Sequence, residues 1–297
     1  MFTFKQLEAL YWIAELGGFA AAARRLNASQ SAISKRIFEL ESSLGEPLFE
    51  RDRRQARLSD RGEEVLLVAS RLLEQRDAAI EQLGKAGVVA RRVRIGVTEL
   101  TAITWLPRLV QSIREAYPNV VIEPEVAASV DLRDKMLAGE TDLIIVPDVF
   151  AEERFECERL GNVQLAWMCK PGLLPTSRPV RADELANATI LTQGRRSGTA
   201  ILFEPWFRSQ NLVQAKTISS SSMLALIGLT VAGVGVSYLP RACLGSLLDQ
   251  HALAVLRTSP SLPRINYVVL LRRGRRSALI AAIVAMAKST CDFSSLF

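Results

Sequence analysis

The sequence predicts an α/β protein with a helical N-terminal domain, a long connecting helix and a larger region made of two α/β subdomains. Three observations support this architecture. Residues 1–59 are rich in alanine and show helical spacing of apolar residues, residues 60–90 continue as one helical run, and residues 91–297 alternate short β-rich runs with helices. The chain of 297 residues is about twice as long as a typical domain, so several domains are expected.

The composition is that of a folded protein with a sizeable core. Hydrophobic residues make up 49% of the chain and charged residues 23%, which excludes the disordered and collagen-like classes. The formal net charge of +6 is compatible with a polyanionic partner without requiring one. The lone histidine, His251, and the scattered cysteines lack the spacing of a zinc site, so we expect no metal and no other cofactor.

Two segments bear on the cellular compartment. Lys5 and Glu8 stand where a signal peptide has its apolar region, so the protein is expected in the cytoplasm with its thiols free. Residues 217–240 carry no charge and are long enough to cross a bilayer, but they are broken by serines and glycines. They predict a helix over 222–232 and a strand over 234–239, and no membrane span.

Three short helices are predicted in the first 45 residues. Their spans are 4–16, 19–26 and 30–44. The Gly17–Gly18 pair ends the first, the second has small side chains that allow close packing, and the third begins after the N-cap Ser29 and ends at Gly45. This order is typical of a helix-turn-helix, whose second helix lies in the DNA major groove.

The third helix carries the predicted DNA-reading face. With Ile33, Ile37 and Leu40 turned inward, the opposite face offers side chains that match base edges, since glutamine reads adenine, lysine reaches guanine and phenylalanine touches a thymine methyl. Arg36 flanks this face and suits phosphate. The predicted reading residues are Gln30, Ser31, Ser34, Lys35 and Phe38.

An arginine cluster follows the helix-turn-helix. Its members are Arg51, Arg53, Arg54 and Arg57, which lie between the apolar residues 48–49 and 58. The pattern predicts a short β-hairpin, or wing, beside the groove helix. An isolated arginine run is more often a solvated loop, but this position favours contacts with phosphate or the minor groove.

The helical run over 60–90 has apolar residues at heptad spacing. Leu66, Leu73 and Ile80 form a stripe that predicts packing against a second copy of the chain. Packing of the same stripe on its own domain is the alternative.

Strands and helices alternate beyond residue 90, which predicts parallel sheets with helical cover. The predicted strands are 93–97, 120–122 and 143–146, then 163–169, 189–191 and 234–239, and finally 265–271, with a helix over 105–117. The second set begins near residue 162, so two subdomains are implied.

Segments spread along the whole chain match a known family in order and spacing. They include Gly18–Phe19, Ser29–Ser34, Leu48–Arg51, Tyr117–Val120, Gly139–Leu143 and Val231–Val236. The chain resembles the LysR-type transcriptional regulators. Two residues depart from the family pattern, Ser31 in place of proline and Ser59 in place of threonine, but the first helical position tolerates serine and Ser59 keeps a hydroxyl.

The resemblance implies a winged helix-turn-helix in residues 1–59, a dimerising linker helix in 60–90 and an effector-binding region in 91–297. That region would comprise two Rossmann-like subdomains of periplasmic-binding-protein type, 91–161 plus 265–297 and 162–264. Two hinge strands would cross between them, and a small effector would lie in the cleft. The implied partners are double-stranded promoter DNA, a second copy in a homodimer, a tetramer built as a dimer of dimers, and RNA polymerase.

Polar residues follow the predicted strands, at the sheet edge where open α/β folds bind ligands. The predicted effector residues are Thr98, Glu99, Leu100, Thr101, Ser129, Pro147, Gln193, Ser219, Ser221 and Ser222. A single serine or threonine at such a place is more often a helix N-cap than a ligand group, so the prediction rests on the set. Neutral donors at helix starts favour a carboxylate-bearing effector.

Two charged features leave alternatives open. Glu99 would repel an acidic effector, unless its carboxylate points away or the effector carries a donor such as an amine. The Arg195–Arg196 pair either neutralises an effector carboxylate or is solvated.

Two other function classes fit the sequence less well. An enzyme needs a nucleophile, a base or a metal set, but His251 is isolated and the sequence has neither a Gly-x-Ser-x-Gly elbow nor a phosphate loop. A transport-type binding protein shares the two-lobed cleft but needs an export signal and has no use for a helix-turn-helix. The sequence therefore predicts a ligand-responsive regulator without catalytic residues.

Overall fold

The chain forms two compact units. The computed structural model describes residues 2–50, 56–83, 91–210, 216–259, 261–273 and 277–296. One unit comprises Met1–Val89 with the short segments Leu137–Glu140 and Gly274–Leu279, and the other comprises Ala90–Met136, Thr141–Arg273 and Ile280–Phe297.

Four helices make up most of the described part of the first unit, and their ends follow local sequence signals. The helices are α1 (Phe4–Leu16), α2 (Phe19–Arg25), α3 (Gln30–Leu44) and α4 (Asp60–Leu83). Thr3 and Gln6 form a capping box at the start of α1, and the Ser29 hydroxyl accepts a hydrogen bond from the backbone N–H of Ala32 at the start of α3. Gly17 and Gly45 end α1 and α3 in the left-handed conformation, with φ of 72° and 78°.

The core of this unit lies between α1, α3 and α4. Fully buried residues include Leu10, Ile13, Ile33 and Leu40. Gly62 on α4 passes so close to the preceding loop that an added Cβ would lie 2.1 Å from the Leu48 carbonyl oxygen. A residue with a side chain would therefore push α4 away from that loop.

The apolar stripe of α4 does not face outward as predicted for a dimer. Leu73 is buried and Leu66 is half-buried, and both pack in the core of their own unit together with Ala69. The side chain of Ile80 lies outside the described residues. Among the described side chains of α4, the large apolar residues that are exposed are Leu67 and Val68, at 65% and 55%. Heptad spacing alone did not distinguish packing on α1 from packing on a second copy.

The second unit is an α/β structure. In its described residues the strands are β1 (Arg91–Val97), β2 (Val120–Val126), β3 (Leu143–Pro147), β4 (Phe155–Cys169), β5 (Ile190–Gln193), β6 (Thr217–Ser220), β7 (Val236–Pro240), β8 (Ala254–Val255) and β9 (Arg264–Arg272). The helices are α5 (Glu99–Thr104), α6 (Leu106–Ala116), α7 (Ser129–Leu137), α8 (Ala182–Asn187), α9 (Gly198–Ser209), α10 (Met223–Val231), α11 (Gly245–Asp249) and α12 (Ala278–Thr290).

Two parallel sheets are joined by two long antiparallel strands, which confirms the predicted α/β class. Strand β1 pairs in parallel with β2 and β3, and β5 pairs in parallel with β6 and β7. Strands β4 and β9 pair with each other and connect the sheets, giving the order β2-β1-β3-β9-β4-β7-β5-β6, with β8 on β4. The β4–β9 register shifts between Arg159 and Asn162, where the chain passes from one subdomain to the other.

The largest differences from the predicted spans concern one helix and one strand. The helix predicted over 105–117 is preceded by α5, and the two helices meet at the fully buried Trp105, with Pro107 in the first turn of α6. Strand β4 begins at Phe155 rather than at residue 163. Its first half carries charged residues and pairs only with β9, so it lacks the continuous apolar run that marks a buried strand.

Candidate functional site

The outer face of α3 presents the predicted DNA-reading residues. Gln30, Ser31, Ser34, Lys35 and Phe38 are all exposed, and Arg36 is half-buried. Phe38 is 70% exposed, and the ammonium of Lys35 lies 4.0 Å from the Glu39 carboxylate. Because Ser29 is the N-cap, Ser31 occupies the second helical position rather than the first. Their contacts with DNA remain predictions.

The base of the predicted wing is present. Phe49 and Leu58 form an antiparallel bridge, and the backbone N–H of Glu50 donates to the Arg57 carbonyl. The other wing arginines, Arg51, Arg53 and Arg54, lie outside the described residues. The β-pairing that a hairpin requires is thus found on both sides of the arginine cluster.

A cavity of about 540 Å³ lies at the carboxyl ends of the parallel strands in the second unit. It brings together residues from both subdomains. The predicted effector residues that line it are Thr98, Glu99, Leu100, Ser129, Pro147, Gln193, Ser221 and Ser222. This is the sheet edge at which ligands bind in open α/β folds.

Two predicted effector residues do not line this cavity. Thr101 is fully buried, and its hydroxyl has no hydrogen-bond partner among the described residues. Three positions after Thr98, it lies on the inner side of α5, which the spacing of hydroxyl groups did not reveal. Ser219 is an exposed residue of β6, before the strand end that reaches the cavity. Both are corrections to the predicted site.

Four helices begin at the cavity wall in the described part of the second unit. Helices α5 and α7 follow β1 and β2 of the first subdomain, and α9 and α10 follow β5 and β6 of the second. Ser197 and Ser222 cap α9 and α10 through their side chains. Since each helix start carries unpaired N–H groups and a partial positive charge, the cavity wall favours an anion.

The Glu99 carboxylate occupies one of these helix starts. Its oxygens accept hydrogen bonds from the Ser222 hydroxyl at 3.0 Å and from the backbone N–H groups of Met223 at 2.5 Å and Leu224 at 3.3 Å. Glu99 belongs to the first subdomain and the first turn of α10 to the second. The carboxylate therefore reaches across the cleft to the start of α10.

Other backbone and side-chain contacts also span the cleft. The buried Ser129 hydroxyl accepts from the Gly198 N–H at 3.0 Å, and the Val130 N–H donates to the Arg196 carbonyl at 3.1 Å. A Cβ added to Gly198 would lie 2.9 Å from the Ser129 oxygen. Ser129 is thus engaged in holding the subdomains together.

The two arginines at the cavity mouth differ in their partners. Arg196 forms ion pairs with Asp131 at 2.6 Å and Asp134 at 2.8 Å, and these hydrogen bonds raise the pKa of its guanidinium above the ordinary value. Arg195 is exposed at the mouth and has no acidic partner among the described residues. Its charge is available to a ligand.

Tyr267 is a cavity residue that the sequence reasoning missed. Burial raises the pKa of its phenol to about 12, and its hydroxyl lies 3.4 Å from the Thr98 hydroxyl. Tyr267 belongs to β9, far along the chain from the other lining residues. Ser197 was also missed, although a serine before a helix is a sequence signal for an N-cap at a strand end.

Two segments of the chain match models of known protein families. Residues 86–292 match the LysR substrate binding domain, and residues 4–63 match the bacterial regulatory helix-turn-helix of the lysR family. The chain belongs to the LysR family of transcriptional regulators.

Its relatives cover nearly its full length. This LysR regulator is 26% identical over 284 residues to the HTH-type transcriptional regulator YfeR of Shigella flexneri, covering 95% of this chain and 91% of YfeR. It is 25% identical over 293 residues to the transcriptional activator IlvY of Salmonella typhimurium, covering 96% and 94%.

Solved structures of full-length LysR regulators share the fold. ArgP from Mycobacterium tuberculosis has a TM-score of 0.67 at 20% identity, covering 100% of this chain and 99% of ArgP. A full-length variant of OxyR from Pseudomonas aeruginosa has a TM-score of 0.60 at 23% identity, covering 99% of this chain and 97% of the OxyR chain.

The LysR assignment makes this protein a regulator and not an enzyme. It has a DNA-binding helix-turn-helix followed by an effector-binding domain. Within the described residues, no group of three or more His, Cys, Asp or Glu is placed to hold a metal ion. None of the helices described is both long and apolar enough to cross a membrane.

Proposed function

We propose that this LysR regulator binds its promoter DNA sequence-specifically and responds to a small, carboxylate-bearing effector in the cleft of its second unit. The observation that carries the proposal is the convergence of four helix starts and Arg195 on one cavity. Helix N-termini and a guanidinium favour anions. The two carboxylates that line the cavity, Glu99 and Asp131, are engaged by the start of α10 and by Arg196.

The effector carboxylate is best accommodated between α9 and Arg195. In the first turn of α9, the Gly198 N–H donates to Ser129 and the Ala200 N–H donates to Ser197. Among the described residues the Thr199 N–H has no acceptor, and Arg195 stands at the same end of the helix. The first turn of α10 is less suitable, since Glu99 already fills it.

Thr98 and Tyr267 supply the polar contacts on the opposite wall. Thr98 is half-buried and lines the cavity, and within the described residues its hydroxyl makes one long contact, with the Tyr267 hydroxyl. Because Tyr267 keeps its proton at neutral pH, this pair offers hydroxyl donors and acceptors to the uncharged part of an effector.

DNA binding is assigned to the exposed face of α3 and to the wing. A homodimer would present two copies of α3 to a roughly two-fold-symmetric site, and we propose a tetramer formed as a dimer of dimers. RNA polymerase is the further partner that we propose at the promoter. We propose the cytoplasm as the compartment in which the protein binds promoter DNA and RNA polymerase.

A genomic binding map of the tagged protein, followed by a reporter assay, tests the proposal. The map identifies the promoter, and genes near it suggest candidate effectors. Thr98→Val keeps the side-chain shape but removes the hydroxyl, so we expect at least a tenfold weaker response to the effector, equivalent to about 1.4 kcal/mol, with DNA binding unchanged. Full response in this variant would mean that the effector binds elsewhere. No preference for the mapped promoter over random duplex would contradict the DNA-binding assignment.

A further inference from the structure

We infer that Glu99 is a tethered carboxylate ligand that closes the cleft and decides which effectors reach the first turn of α10. The inference about effector choice rests on the proposed function of the cleft. The inference about closure does not, because it concerns contacts that the protein makes with itself.

The geometry of Glu99 is that of a bound ligand. Its two oxygens meet a hydroxyl and two backbone N–H groups at one helix start, Ser222, Met223 and Leu224. These donors satisfy a carboxylate without a counter-ion, since a helix N-terminus stabilises negative charge. No lysine or arginine of the described residues pairs with Glu99, so the donors at the start of α10 compensate its charge.

Glu99 is also the carboxylate that joins the two subdomains through backbone donors. It is the first residue of α5, and its partners begin α10, 123 residues later in the chain. The other cavity-lining carboxylate, Asp131, is neutralised by Arg196. In addition to the Ser129 and Arg196 contacts, the cleft is therefore joined by a carboxylate that the protein itself supplies at the place where a free anion would bind.

A tethered ligand competes strongly with a free one. Because Glu99 is held next to α10 by the chain, its effective concentration there is on the order of millimolar or higher. A simple carboxylate effector must either displace Glu99 or bind elsewhere in the cleft. Removing the Glu99 carboxylate should open the first turn of α10 to small free carboxylates.

Chemical rescue with acetate tests this inference on the full-length protein. The variants are Glu99→Ala and the control Glu115→Ala, which removes an exposed glutamate on α6 that accepts a hydrogen bond from Gln111. Thermal unfolding is measured with added sodium acetate, with sodium chloride at equal ionic strength, and with neutral acetamide. We expect acetate alone to raise the Tm of Glu99→Ala by about 2–4 °C in a saturable manner. The wild type and Glu115→Ala should show no such effect.

Hydrogen exchange locates the effect. The amides of residues 222–226 should exchange roughly tenfold faster in Glu99→Ala than in the wild type, and acetate should restore their protection. If Glu99→Ala does not fold, Glu99→Gln keeps the side-chain shape and loses the charge, and its 222–226 amides should also exchange faster than those of the wild type.

Two results would overturn the inference. One is an acetate effect on Glu99→Ala no larger than that of chloride, and the other is wild-type exchange of residues 222–226 in Glu99→Gln. Neither readout uses an effector or DNA. A regulator that bound no effector at all would leave both expected results unchanged, so failure of the proposed function is distinguishable from failure of this inference.

Discussion

Phe38 and Lys35 show how single residues of α3 separate folding from recognition. Ile33, Ile37 and Leu40 take the buried positions of the helix, so neither Phe38 nor Lys35 is needed for the core. A phenylalanine that is 70% exposed gains little from burial in the free protein. We propose that its aromatic ring contacts a thymine methyl group in the major groove.

Lys35→Ala tests the base-reading role of α3. We expect a loss of about 1–3 kcal/mol at one base position, because lysine in the major groove recognises guanine O6 and N7. Binding is measured by fluorescence anisotropy on the mapped site, on its single-base variants and on random duplex. Lys5→Ala, which removes an exposed lysine from α1, is the control for loss of charge and should not alter base preference. Equal weakening on specific and random DNA would assign Lys35 to phosphate contact instead.

Helix α4 has apolar residues on two sides, one packed against its own unit and one exposed. Ala69 and Leu73 pack into the first unit, and Arg76 pairs with Glu8 of α1 at 2.6 Å. The neighbouring Leu67 and Val68 are exposed. The inner side of α4 therefore stabilises its own unit, and we propose the outer side as the surface that meets a second copy.

Two substitutions on α4 separate these roles. Leu73→Asp should destabilise the first unit by several kcal/mol, because it places a charge in a packed core, and the loss is measured as a lower Tm. Leu67→Asp combined with Val68→Asp should leave the Tm of the first unit nearly unchanged but weaken dimerisation, measured by analytical ultracentrifugation. A double variant that remains as dimeric as the wild type would exclude this surface from the dimer interface.

At the scale of the whole second unit, short contacts join the two sides of the cleft, and we propose that the cleft is a two-state element. Gly198 allows α9 to approach Ser129 and Pro147, with an added Cβ 2.9 Å and 3.0 Å from them. Interfaces of this kind change between discrete arrangements, and an effector shifts the balance by its differential affinity for the two. A tenfold shift needs about 1.4 kcal/mol, which one or two hydrogen bonds across the cleft supply.

Gly198→Ala tests this coupling. The added methyl should disfavour the closed cleft and reduce the transcriptional response by about tenfold or more, while DNA affinity stays within about twofold. Gly245→Ala is a matched control, since Gly245 is also the first residue of a helix and a Cβ there meets nothing within 4 Å. The response is measured in a promoter reporter, and a wild-type response in Gly198→Ala would show that regulation does not depend on this contact.

Local sequence determined the helix ends and the class of fold in this protein. Ser29, Gly45 and Ser222 act through their own backbone neighbours, so their roles as caps and stop signals were readable without tertiary information. Alternation of strands and helices predicted the α/β class for the same reason. Eight of the ten predicted effector residues line the cavity, because parallel strands bring their carboxyl ends to one edge of the sheet.

Only the tertiary structure decided which side chains are covered by their own core and which charged groups have a partner. Periodicity shows that Leu73 is apolar on one side of α4 but not that its own core, rather than a second chain, covers it. The partners of Glu99 lie 123 or more residues away, and local spacing says nothing of such a contact. Arg195 and Arg196 are identical in type and adjacent in sequence, yet only the fold brings Asp131 and Asp134 to Arg196. Contacts between distant elements depend on how the strands pair and the helices pack, and this arrangement involves residues from the whole length of the chain.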